Sequence, residues 1–192
     1  MKQVIFVISF LLFKSYSVIG QINQEIYNSQ KLSIRESPFS SAQTMYAKLE
    51  MQKKYRVQYE SELQKIITSN PSDTIILVEK YDETCIDCPA DDIQIFVKNK
   101  LISYQKDVSQ KRYTKAYEIL TKNLMDSTGY YHLDIIVLKK EISEGSEWNT
   151  NPKKYGSDDC FGGDKIIYTV LYPKRKTESM YIKCWELDLT QN

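Results

Sequence analysis

Apolar residues recur every three or four positions from Ala42 to Ile67, and this spacing predicts a long helix over about 41–68. The stripe runs through Ala42, Met45, Tyr46, Leu49, Tyr55, Tyr59, Leu63, Ile66 and Ile67. Ser40 and Ser41 stand where N-cap residues belong, because a short side-chain oxygen there can accept a free first-turn N–H. Asn70-Pro71-Ser72-Asp73 stops the run. Upstream, residues 21–40 are polar and weakly patterned. Ile22, Ile26 and Tyr27 suggest one face of a short helix, ended before Pro38 because the residue preceding proline avoids the helical region. This segment reads as an N-terminal extension.

After residue 73 the period changes. Thr74–Tyr81 (TIILVEKY) is a β-branched run and predicts a strand. From Asp92 to Lys98, Ile93, Ile95 and Val97 alternate on one face, and Asn99-Lys100 predicts a tight turn into Leu101–Tyr104. Tyr113, Ala116, Tyr117, Leu120 and Leu124 return to helical spacing, so a second helix is expected over about 109–126. Residues 131–142 mix both signals, and Ile135-Ile136-Val137 tips the reading toward strand. A polar stretch over 143–164 precedes a final hairpin, Lys165–Tyr172 with Met180–Leu187. Strands in adjacent pairs imply an α+β domain over 41–192. Its mostly antiparallel sheet has about five to six strands, with two main helices on one face.

The first residues follow a different logic. Lys2 precedes the apolar run Val4–Phe13, and Ser15, Ser17 and Gly20 follow, the three-part pattern of a signal peptide over 1–20. Ten helical residues span about 15 Å, half of a hydrocarbon core about 30 Å thick. The expected destination is therefore secreted or periplasmic. No later segment approaches the length of a membrane span, so none is expected in the mature chain.

Composition then narrows the chemistry. A chain of 192 residues with 42% hydrophobic and 27% charged side chains suits one ordinary globular domain. The 26 basic and 25 acidic residues give a net charge of +1, and losing Lys2 and Lys14 with the leader leaves 24 against 25. That balance lacks the basic excess a nucleic-acid partner requires.

Cys85, Cys88, Cys160 and Cys184 are the strongest chemical signal. An exported chain with an even number of cysteines is expected to pair them. Three connectivities are open. The favoured one joins Cys85 to Cys88 and Cys160 to Cys184, the latter closing a loop worth about 3.5 kcal/mol in the chain-entropy model. The alternative is a thiol–disulfide oxidoreductase using Cys85 and Cys88. Asp82, Glu83, Asp87, Asp91 and Asp92 oppose the thiolate such chemistry needs, and no helix is predicted after Cys88. A four-thiolate zinc site fits poorly, since Cys160 and Cys184 form no second C-x-x-C pair.

His132 is the only imidazole, and no nucleophile elbow, phosphate loop or dinucleotide motif is present. Residues 156–164 carry oxygen ligands without calcium-hand spacing, so no metal and no cofactor are expected. Trp148, Tyr155 and Phe161 lie in the polar stretch outside any periodic pattern. Aromatic rings with polar tips suit recognition, so these three form the expected binding surface for a protein or glycan partner. The reading from sequence is an exported, soluble, non-catalytic binding module.

Overall fold

The long helix is built on a stripe richer in polar residues than its sequence pattern suggests. In the computed structural model, which describes residues 20–85, 87–107, 109–120, 133–145, 148–158, 164–174 and 176–184, helix α2 spans Met45–Ser69. Met45, Leu49, Gln52, Arg56, Tyr59, Leu63 and Ile66 alternate in steps of four and three, and all are buried. Full burial of an aliphatic side chain such as Leu49 or Leu63 contributes about 1.5–3 kcal/mol. Asn70 ends the helix: its side-chain amide donates to Ile66 O at 2.7 Å and its backbone N–H to Ile67 O at 3.2 Å.

The start of α2 differs from expectation. A 3₁₀ turn, Ser40–Thr44, leads into it, and no side chain caps either element. Ser41 Oγ instead pairs with Tyr181 OH at 2.8 Å, and Ser40 N–H donates to Asp158 Oδ2 at 3.0 Å. Helix α1, residues 20–35, lies within the segment read as an extension. It supplies Ile26, Gln30 and Ile34 to the core.

Six strands form one antiparallel sheet in the order β4-β3-β2-β1-β5-β6. They are β1 Ile75–Tyr81, β2 Asp92–Val97, β3 Lys100–Asp107, β4 Arg112–Leu120, β5 Lys165–Leu171 and β6 Glu178–Lys183. The α+β architecture is therefore the expected one. The β2–β3 turn is Lys98-Asn99, one residue earlier than the pattern suggests, because Val97 pairs with Lys100. Lys98 takes φ 54°, a left-handed conformation unusual for a side chain that is not glycine.

Two elements correct the sequence reading. Residues 112–120, expected to be helical, form the edge strand β4 paired along β3. Asp107 Oδ1 accepts the N–H groups of Ser109 and Gln110 and the Ser109 hydroxyl, which turns the chain where a helix start was expected. Residues 133–143, expected as strand, form helix α3 (Leu133–Ser143), with Ile135 and Leu138 buried. In the last strand pair Ile167 faces Tyr181, and Cys184 N–H donates to Asp164 O at 3.0 Å.

Both sheet faces are covered. Helices α1 and α2 lie over Leu77, Glu79, Ile93, Ile95, Ile167 and Thr169. Ile76, Val78, Phe96, Leu101, Tyr168 and Val170 point the opposite way and are also buried. Among the described residues, no helix is long and apolar enough to cross a membrane.

Candidate ligand groove and the buried polar centre

The most concentrated chemistry lies between the helices and the sheet. Glu79 shares a face of β1 with Leu77 and Tyr81, so the pleat turns its carboxylate under α1 and α2. Glu79 and Arg56 are both 0% exposed. Arg56 Nε donates to Oε1 at 3.1 Å and Nη2 to Oε2 at 2.8 Å, a two-pronged ion pair. Gln52 and Tyr59 also donate to Oε1, at 2.8 and 2.7 Å, and Gln30 donates to Oε2 at 2.6 Å. Arg56 Nη1 reaches Asn23 Oδ1 at 2.9 Å, and Nη2 also reaches Gln30 Oε1 at 2.8 Å. Burial works against the Glu79 charge. Arg56 and the surrounding donors outweigh it and hold the carboxyl below its ordinary range. Burial, with Glu79 beside them, pushes the Tyr59 and Tyr81 hydroxyls well up. Each Glu79 oxygen already has several donors, so this centre has no open acceptor for a substrate and acts as a structural clamp.

A groove of about 780 Å³ lies on the opposite face. Ile76 and Phe96 form its floor, Ile135, Ile136 and Ile142 of α3 form one wall, and Tyr172 closes one side. Ile136 is 41% exposed, a large aliphatic side chain left in reach of solvent. Charged groups mark the rim: Asp73, Lys98, Lys139 and Lys140. Lys139 Nζ donates to Lys98 O at 2.7 Å, fastening α3 to the β2–β3 turn, and Lys98 Nζ pairs with Asp73 Oδ2 at 3.3 Å. Among the described residues, Lys140 makes no ion pair.

The expected binding surface is not assembled from its aromatic rings. Trp148 is 2% and Tyr155 4% exposed. Trp148 Nε1 donates to Tyr172 OH at 3.0 Å, and Tyr155 OH donates to Glu141. Both rings have folded inward, where their polar tips find partners. Phe161 lies outside the described residues. The same polar stretch does reach a second, smaller cleft of about 460 Å³, through Asn149 and Thr150 opposite Ser29 and Ser33 of α1.

Cys85 and Cys88 form a disulfide in the loop between β1 and β2, and Cys184 is disulfide-bonded as well. Cys160 and His132 lie outside the described residues. Residues 88–90 carry no regular structure before β2 begins at Asp92, so no helix follows the pair to stabilise a thiolate. Among the described residues, no cluster of three His, Cys, Asp or Glu side chains is placed to hold a metal ion. No protein-family profile, curated protein or solved structure matches the chain.

Sequence reasoning missed the polar centre because it followed only apolar residues along α2. The signal was present: Gln52 and Arg56 fill the gap between Leu49 and Tyr59 at the same four-and-three spacing. The groove had no comparable signal, since its floor and wall come from segments 39–66 residues apart that meet only in the folded chain.

Proposed function

We propose that this chain is an exported, non-catalytic binding protein whose groove under α3 takes a small ligand with an apolar body and an anionic head. The groove carries this reading. Its volume lies within the range of about 300–1,000 Å³ common for small-molecule sites, and Ile76, Phe96, Val97, Ile135, Ile136 and Ile142 make most of its surface apolar, with seven polar or charged residues around them. Such walls reward burial of hydrocarbon. A glycan would instead need dense hydrogen-bonding groups or exposed rings, which favours an apolar ligand here. Lys140, which makes no ion pair among the described residues, supplies the complement to a carboxylate or similar head at the rim. Export rests on the charged, apolar and small-residue pattern of the first twenty residues.

The test is titration with decanoate, read by tryptophan fluorescence in a Trp185→Phe background. Trp148 reports on the groove through its hydrogen bond to Tyr172. A saturable change is expected in the parent. Ile136→Glu and Lys140→Glu should each weaken binding about tenfold or more, because one places a charge on the apolar wall and the other inverts the rim. Ile136 is exposed enough for its substitution to leave the fold intact. Absence of saturation, or unchanged affinity in Ile136→Glu, would refute the assignment.

A further inference from the structure

β6 is the outermost strand on its side of the sheet. In an antiparallel strand, successive residues turn their N–H and C=O groups alternately toward one neighbour and away from it. Cys184 N–H donates back to Asp164 O, and the register from Lys165–Lys183 to Val170–Glu178 runs without a shift. Met180 and Ile182 therefore aim their backbone groups at β5, and Thr177, Ser179, Tyr181 and Lys183 aim theirs outward. Contacts at both ends fix this phase. Thr177 O accepts from Ser29 Oγ at 3.1 Å, and its N–H donates to Glu25 Oε1 at 3.3 Å. Lys183 O accepts from Ser157 N–H at 3.0 Å.

Between these two ends the edge is unpaired. Among the described residues, nothing bonds to the N–H or C=O of Ser179 or Tyr181 on the outward side. Their side chains are engaged elsewhere: Ser179 Oγ pairs with Thr169 Oγ1 at 3.1 Å, and Tyr181 OH with Ser41 Oγ at 2.8 Å. Neither residue stands in open solvent, at 7% and 1% exposed. Both line the cleft of about 460 Å³ beside α1. Backbone polar groups held out of bulk water without a partner are costly, so this cleft favours an occupant that pairs with them.

We infer that the cleft takes an extended peptide segment of about three to five residues, added to β6 as a further strand opposite Ser179 and Tyr181. The spacing of the groups selects this occupant. Each outward residue offers one donor and one acceptor, and the pair repeats every second residue, about 7 Å along the strand. An extended backbone carries the same repeat, whereas the hydroxyls of a sugar do not. From Thr177 to Lys183 the edge is about 20 Å long, which sets the length of the segment. Ser33, Ser37, Asn149 and Thr150 add small polar groups to the walls, which suit short side chains on the incoming strand. The cleft shares no lining residue with the groove under α3, so either site can fail without the other.

The test uses the full chain and an acetylated, amidated pentapeptide of alternating threonine and valine. In the free protein, amide hydrogen exchange at Ser179 and Tyr181 should be about a hundredfold faster than at Met180 and Ile182, whose N–H groups belong to the ladder. Saturating peptide should slow Ser179 and Tyr181 toward their neighbours. Ser179→Pro removes one outward N–H and leaves the ladder to β5 intact, so peptide affinity should fall about tenfold or more by calorimetry. Ser179→Ala keeps the backbone and should bind like wild type. Ser33→Phe fills the cleft from α1 and should also lose binding, which keeps the test decisive if the proline variant fails to fold. The same peptide methylated on every backbone nitrogen should not bind. Equal protection from Ser179 to Ile182 in the free protein, no saturable binding, or equal binding of the methylated peptide would overturn the site. Protection of Ser179 and Tyr181 that rises with protein concentration alone would assign the edge to a second copy of the chain and overturn it as well.

Discussion

Glu79 and Arg56 show what a buried charge pair demands of its neighbours. Neither would be tolerated alone in the space between helices and sheet, and together they draw in Gln30, Gln52, Tyr59 and Asn23 until the carboxylate and guanidinium are saturated. Removing one partner should therefore cost more than removing both. Glu79→Leu or Arg56→Met is expected to lose about 3–5 kcal/mol, while the double replacement Glu79→Leu with Arg56→Met should lose less than either alone. Urea denaturation of the four proteins in the cycle measures this, and additive losses would contradict it. The pair also ties stability to acid. The carboxyl of Glu79 lies below its ordinary value of 4.5 in the folded state. Its contribution is thus fully present above that value and is lost as pH falls through the lower, folded-state value. As pH falls below 4.5, wild type should lose a component of stability that Glu79→Gln lacks altogether.

At the scale of elements, β4 and α3 were each misread for an identifiable reason. β4 is an edge strand whose residues are mostly exposed, with Tyr113 alone buried, so nothing selected a clean period-two alternation in its sequence. A helical spacing was left over by chance, and pairing with β3 overruled it. In α3 the run Ile135-Ile136-Val137 favours a strand locally, yet the helix buries Ile135 and Leu138 while Ile142 packs against the core. Tertiary burial outweighs a propensity difference of a few tenths of a kcal/mol per residue. Trp148 and Tyr155 belong to the same lesson. They looked like surface aromatics because the surrounding residues are polar, but they are core residues supplied by an irregular segment. Trp148→Ala and Tyr155→Ala should each destabilise the protein substantially, with Trp148→Ala losing about 3–5 kcal/mol. A melting temperature unchanged from wild type would return them to the surface.

Across the whole molecule, tyrosine is the material of the interior. Of fifteen tyrosines, Tyr27, Tyr59, Tyr81, Tyr104, Tyr113, Tyr155 and Tyr181 have hydroxyls pushed above the ordinary value of 10.0, chiefly by burial. Tyr27 and Tyr181 are raised to about 12. Folding favours their neutral forms, so this stabilisation is complete below pH 10.0 and is lost as pH rises through the folded-state values. Absorbance titration of tyrosinate should show an early phase from exposed rings and a late phase coinciding with alkaline unfolding. One step near 10 in the native protein would contradict this burial. The α+β class, the long helix, the first hairpin and the last strand pair were legible in the chain, because helical and strand periods are local properties that survive without a partner. The edge strand, the identity of α3 and the inward turn of Trp148 were settled only in the folded molecule. So were the apposition of Glu79 with Arg56 and the floor of the groove. Each depends on which distant segment lies across from a residue, and burial against that segment outweighs what its immediate neighbours in sequence prefer.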